Sequence, residues 1–140
     1  MRIKVKYMKG VEPLESITMG DWVDLRVAKT YSIQKGEYGI LPLGVAIELP
    51  KGYEAIVLPR SSTFKKYGLI MVNSAGVIDE SYNGDADWWG FPFYATRDII
   101  IEQNTRIAQF RIFEHQPPLL FEEVKKLGNP NRGGFGSTGD

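Results

Sequence analysis

Residues 23–27 read VDLRV, with Val23, Leu25 and Val27 on one parity and Asp24 and Arg26 on the other. Side chains of an extended chain alternate between two faces, so this spacing turns three aliphatics one way and a carboxylate and a guanidinium the other. The same alternation recurs in IKVKY (Ile3, Val5, Tyr7) and in VAIEL (Val45, Ile47, Leu49). Denser runs, AIVLP, GLIMV, DIII and RIAQFRIF, are short, rich in β-branched and aromatic residues, and bounded by Gly, Pro, Asn or Asp. Fifteen glycines and eight prolines punctuate the whole chain. Many short strands in a sandwich or barrel follow from this pattern, and a helix bundle does not.

Composition narrows the class further. A chain of 140 residues with 43% hydrophobic content holds one domain with a real core. Seventeen basic residues balance seventeen acidic ones, which leaves no net field to hold a nucleic-acid backbone. The absence of cysteine removes disulfides, thiolate nucleophiles and thiolate metal sites together. The start, MRIKVKYMKG, alternates charge with apolar residues and has no long apolar run, so a soluble, cytoplasmic protein without signal peptide or membrane contact is expected.

Two segments have helical features. In SSTFKKYG, Ser62 can cap the start, Lys65 and Lys66 suit the last turn, and Gly68 suits the left-handed residue after it, so one short helix is expected there. LLFEEVKKLG contains good helix formers but also alternates (Leu120, Glu122, Val124), and it reads as a strand. The domain is expected to occupy residues 1–127, with 128–140 a glycine-rich tail. That tail, ending NRGGFGSTGD, has glycines for close backbone approach and hydroxyls that suit phosphate.

Chemistry concentrates in three segments. NSAGVIDESYNGD (73–85) places an amide, a carboxylate and an aromatic in one short stretch. Read as a hairpin, it would show backbone groups to a flat polar ring, and Asp79 could deprotonate a water; equally, Asp79 could make an ordinary turn hydrogen bond. PRSSTFKKYGL brings Arg60, Ser61 and Ser62 to a helix start, either as an anion seat or as a cap with Arg60 in a structural ion pair. Gln109 sits inside an apolar run and needs partners, from backbone or ligand. The adjacent Trp88 and Trp89 read as strand residues facing opposite ways, one toward the core and one toward a subunit contact, and not as a ligand cage. His115, the single histidine, reads as a surface residue outside any Ser/His/Asp arrangement. Neither GxxxxGKS nor a GxGxxG after a strand is present.

In order, VDLRVA, PRSSTFKKYGL, NSAGVIDESYNGD, RIAQF and GGFGSTG resemble the five motifs of the trimeric dUTPases, in the style of bacterial or bacteriophage members. The resemblance implies an all-β, jelly-roll-like subunit and a homotrimer whose active sites are shared between chains. It implies hydrolysis of dUTP to dUMP and pyrophosphate with Mg²⁺, which keeps uracil out of DNA and supplies dUMP for thymidylate synthesis. By the same resemblance Asp79 is the general base, Gln109 positions water and α-phosphate, and Arg60, Ser61 and Ser62 hold the phosphate chain. Asn73 with the backbone of Gly76, Val77 and Ile78 would read uracil, and Tyr82 would pack on the sugar and exclude a 2′-hydroxyl. Phe135 would cap the base while Gly136, Ser137 and Thr138 close on the phosphates. Mg²⁺ would be held mainly by the triphosphate, with Asp24 nearby through water.

Three positions depart from the family pattern. Trp22 stands where a glycine is expected before Asp24, so the local turn should differ. Asn104 and Thr105 replace a Gly and an acid, which should alter only a turn. Pro130 occupies the usual place of the lid arginine, leaving Arg132 to serve the γ-phosphate. Two alternatives are a dCTP deaminase-like or bifunctional enzyme, although ADWWGFPFY lacks the glutamate that family needs, and a nucleotide-gated trimer that binds a regulatory protein partner.

Overall fold

The computed structural model describes residues 1–136; Ser137 and Thr138 lie outside the described residues. The chain runs through β1 (Lys4–Tyr7), β2 (Val23–Arg26), β3 (Tyr31–Ile33), β4 (Tyr38–Pro42), β5 (Val45–Glu48) and β6 (Tyr53–Pro59). After α1 (Thr63–Tyr67), the one helix among the described residues, come β7 (Leu69–Met71), β8 (Gly76–Ile78), β9 (Gly90–Ala95), β10 (Ile99–Ile101) and β11 (Arg106–Glu114). All pairings are antiparallel, in sheets ordered β2-β11-β6-β8 and β4-β9-β7 with two smaller pairs, β1-β5 and β10-β3. The result is all-β and sandwich-like, with one short helix following PRSS.

The alternation in the sequence is what closes the core. Leu25 of β2, Leu41 of β4, Ile47 of β5, Val57 of β6, Phe91 of β9 and Phe110 of β11 join one buried cluster drawn from the inner faces. Trp89 is 1% exposed and packs edge-on against Phe110, ring centroids 5.1 Å apart. Its indole Nε1 has no hydrogen-bond partner among the described residues. An unpaired buried donor costs about 1–3 kcal/mol, whereas burying an aromatic area of about 200 Å² contributes about 5 kcal/mol, so burial wins.

Helix α1 forms where expected, but by a different contact. Ser62 makes no side-chain cap; the buried Thr63 hydroxyl instead donates to the Ile107 carbonyl at 2.7 Å and accepts from the Arg60 N–H at 3.0 Å. Gly68 ends the helix at φ +65°, and a Cβ there would stand 2.8 Å from Thr96 Oγ1.

Three expectations need correction. Residues 119–127 form no strand: among the described residues regular structure ends with β11, and Leu120 and Phe121 project into solvent because no sheet edge among those residues receives them. The segment around Asn73 is not a paired hairpin: β7 pairs with β9 and β8 with β6, so the chain crosses between the two larger sheets. Trp88 and Trp89 precede β9 instead of lying on it; Trp89 is held by its own N–H to Val45 and by Leu43 N–H to its carbonyl.

The departures at Trp22 and Asn104 also take shape. Gly20, at φ +71°, turns the chain before β2, and Trp22 packs edge-on against Phe113. Asn104, at φ +68°, does more than turn the chain: its Oδ1 accepts from Glu12 N–H and its Nδ2 donates to the Gly10 carbonyl, fastening the N-terminal loop.

Candidate active site

The sequence-predicted residues fall into two groups at opposite ends of the β2-β11-β6-β8 sheet. The first lies where β6 ends. Arg60 Nε is 3.1 Å from Asp24 Oδ1, and Arg106 Nη1 is 3.6 Å from Asp24 Oδ2. Gln109 stands opposite Asp24 in the β11–β2 register, and its Nε2 donates to the Pro59 carbonyl at 3.2 Å. Ser61 is exposed beside them. Arg106 Nη2 also reaches Glu15 Oε1 at 3.0 Å, so two carboxylates balance the two guanidinium groups, and what remains for an anion are the hydrogen-bond donors of Arg60 and the nearby serines. A helix of five residues adds little dipole, so Arg60 and the serine hydroxyls, more than the helix end, make this group attractive to phosphate.

The second group surrounds the end of β8. Asp79 is exposed and accepts hydrogen bonds from both the hydroxyl and the backbone N–H of Ser81, the latter at 2.9 Å. These bonds, the hydroxyl's first, hold its carboxyl below the ordinary range. Tyr82 N–H donates to the Asp79 carbonyl at 3.0 Å, closing a turn that brings ring and carboxylate to one side. A cavity of about 470 Å³ is lined by Ile40, Val77, Ile78, Asp79, Tyr82 and Trp88. Trp88, read from sequence as a strand residue, is part of this lining, and Ile40 and Ser81 are lining residues that the sequence reading did not single out. Asn73 and Gly76 lie at the far end of β8 from Asp79, with Asn73 in the exposed turn before the strand.

The two groups do not meet within one chain. Gln109 pairs with Leu58 of β6, whereas Ile78 pairs with Ala55 two strands away from β11. At about 3.3 Å per residue and about 4.8 Å per strand, the Asp79 and Gln109 backbones stand on the order of 16 Å apart. Arg132, Phe135 and Gly136 are exposed, and Phe135, with no measurable burial at all, caps nothing in its own chain.

The fold is that of an all-β protein with two groups of polar side chains at opposite ends of one sheet, the second beside a cavity. The chain belongs to the dUTPase family, whose pattern matches residues 23–139. It is 54% identical over 140 residues to the SPbeta prophage-derived deoxyuridine 5′-triphosphate nucleotidohydrolase YosS of Bacillus subtilis, covering 99% of each chain. It is 36% identical over 118 residues to the deoxyuridine 5′-triphosphate nucleotidohydrolase of Streptomyces avermitilis, covering 83% of this chain and 67% of that one. In fold it is similar to the Staphylococcus bacteriophage 80alpha dUTPase solved with dUpNHpp, at a TM-score of 0.79, 22% identity and 99% coverage of both chains. It is likewise similar to a mutant dUTPase from phage phi11 of S. aureus, described with a structural Mg(II) ion, at a TM-score of 0.75, 18% identity and coverage of 91% of this chain and 99% of that one.

Proposed function

We propose that this protein hydrolyses dUTP to dUMP and pyrophosphate in active sites completed by neighbouring copies of the chain. The observation that carries this reading is the separation of the two groups. A base that holds water and an amide that positions the attacked phosphate must both lie within hydrogen-bond reach of the reacting atoms, and Asp79 and Gln109 of one chain are too far apart to do so.

The apolar face of the β4-β9-β7 sheet supports a homotrimer. Tyr38, Tyr94 and Ile70 align across its three strands, and Ile40 follows on the next row. Tyr38 is 82% and Ile40 67% exposed, so this face lacks a cover in the single chain. Ile40 also lines the Asp79 cavity, so a subunit docked on this face would stand beside that carboxylate.

In the assembled site, Asp79 takes a proton from water as its oxygen attacks the α-phosphorus, and the bond to the β-phosphate oxygen breaks to release pyrophosphate. Gln109, with Arg60, Ser61 and Ser62 of a second chain, holds the phosphates and stabilises charge moving onto the leaving group. Asn73 and the backbone of Gly76, Val77 and Ile78 read the uracil edge, and Tyr82 excludes a ribose 2′-hydroxyl. The tail from Gly128 closes over the nucleotide, with Phe135 on the base and Arg132 toward the γ-phosphate.

Among the described residues, no three acidic or imidazole side chains are grouped to hold a metal, and both oxygens of Asp24 already face guanidinium groups. These residues fit a Mg²⁺ carried by the triphosphate, with Asp24 at most a contact through water. When bound there, the ion would offset charge on the departing pyrophosphate. Among the described residues no helix is long and apolar enough to cross a membrane. We place the enzyme in the cytoplasm, the host's if it is phage-encoded.

The test is pyrophosphate release from dUTP, UTP, dTTP and dCTP with Mg²⁺. A strong preference for dUTP is expected, and comparable turnover of UTP would refute the role given to Tyr82. Asp79→Asn should bind nucleotide and lose at least about 100-fold in turnover, the scale of a general base; a near-normal rate would mean that another group is the base.

A further inference from the structure

Strand β1 carries Lys4 and Lys6 on its outward parity, yet the two lysines have different partners. Lys4 faces Glu48 directly across the β1–β5 pair and is 3.2 Å from it. Lys6 faces Ala46, which offers no charge, and turns instead to the loop between β8 and β9. Its Nζ donates to the Asp85 carbonyl at 3.0 Å, stands 3.8 Å from Asp85 Oδ1, and lies over the Trp88 ring at 5.3 Å from the centroid.

The loop is itself closed. Gly84 N–H donates to the Asp87 carboxylate at 2.7 Å, and Asp87 N–H returns to the Gly84 carbonyl at 3.1 Å. A Cβ on Gly84 would stand 2.8 Å from Asp87 Oδ2, so a larger residue there would push that carboxylate aside. The loop's product is the Trp88 carbonyl, and that carbonyl accepts the Tyr82 hydroxyl at 3.0 Å.

We propose that Lys6, acting through Trp88, is a positioning residue for Tyr82 and thereby sets how strictly the site distinguishes deoxyribose from ribose. The inference rests on the dUTPase reading of Tyr82 and deepens it. Tyr82 is 39% exposed and sits in a turn, so packing alone does not fix its ring. Excluding one hydroxyl requires a ring that does not yield, and the hydroxyl–carbonyl bond to Trp88 fixes its far end. Lys6 holds that carbonyl's residue from above through the indole and from the side through Asp85, and Lys6 itself lies outside the five motifs.

The experiment compares kcat and KM for dUTP and UTP in the full-length protein and in Lys6→Met, Lys6→Arg, Tyr82→Phe and the Lys6→Met/Tyr82→Phe double variant. Methionine keeps the stem over the indole and removes charge and donor. The dUTP/UTP ratio of kcat/KM should fall by about threefold to tenfold in Lys6→Met, the scale of one such contact, with the gain on UTP appearing in KM. Lys6→Arg should restore the ratio, and the double variant should be no worse than the poorer single one, since both act on one chain of contacts. A ratio in Lys6→Met equal to that of the unmodified protein, or an equal loss on both substrates, would overturn the proposal. Should Lys6→Met not fold, Tyr82→Phe decides alone, because an unchanged ratio there removes the route through Trp88. If the unmodified protein itself shows no preference for dUTP, the functional reading fails first, and the two failures are told apart by that arm.

Discussion

Asp79 is held ready by its neighbour two residues on. The Ser81 hydroxyl and backbone N–H both donate to its carboxylate, and their preference for the charged form outweighs the small opposing effect of desolvation. In the proposed role of general base Asp79 acts when ionised, so the rate should fall as pH drops through its pKa, and a lowered pKa would keep activity to more acid pH. Ser81→Ala removes the larger of the two donors. The acid limb of kcat/KM for dUTP should therefore move up in pH, toward the ordinary carboxylate range; an unmoved limb would mean that Ser81 does not tune the base. Substrate ionisation is common to both proteins and cancels in the comparison. Asp79 was legible as a carboxylate between strand-like runs, but Ser81 was not singled out, because a serine in a turn has many uses and only geometry shows which atom it faces.

Helix α1 shows a similar division between a legible element and an illegible contact. Lys65, Lys66 and Gly68 marked its end, yet the start is secured by Thr63, whose hydroxyl reaches the Ile107 carbonyl forty-four positions away in sequence. Thr63→Val leaves that carbonyl and the Arg60 N–H poorly paired in a buried place, a loss of about 1–3 kcal/mol. Denaturant unfolding at fixed protein concentration should show it, together with weaker triphosphate binding as Arg60 loses its anchor; unchanged stability would mean that the bond contributes nothing net. Strands β1, β2 and β5 were readable because their aliphatic residues fall on one parity with charged or small residues between them, although Ala46 of β5 is buried as well. Strands β3 and β4 were not, since β3 has three residues and β4 shows Tyr38 and Ile40 to solvent, which reverses the expected polarity. The tail's alternation misled for the opposite reason: period two describes a strand only where a neighbouring edge exists to pair with it.

The assembly accounts for that reversed polarity if β4, β7 and β9 form the contact between subunits. Tyr94→Glu places a charge on the central strand of this face, between Tyr38 and Ile70 and outside the cavity lining, and burying it unpaired would cost several kcal/mol. Light scattering should then show monomers in place of trimers, with turnover lost although Asp79 and its cavity remain; an active monomer would contradict the shared-site reading. Order along the chain was enough to identify the family and the all-β class and to nominate candidate site residues, because strand alternation and motif residues are local properties. It could not show that Asp79 and Gln109 lie at opposite ends of a sheet, that β7 and β8 belong to different sheets, or that Lys6 reaches Trp88. Those facts depend on which strands pair and in what register, and pairing is settled by the burial of all the inner faces together.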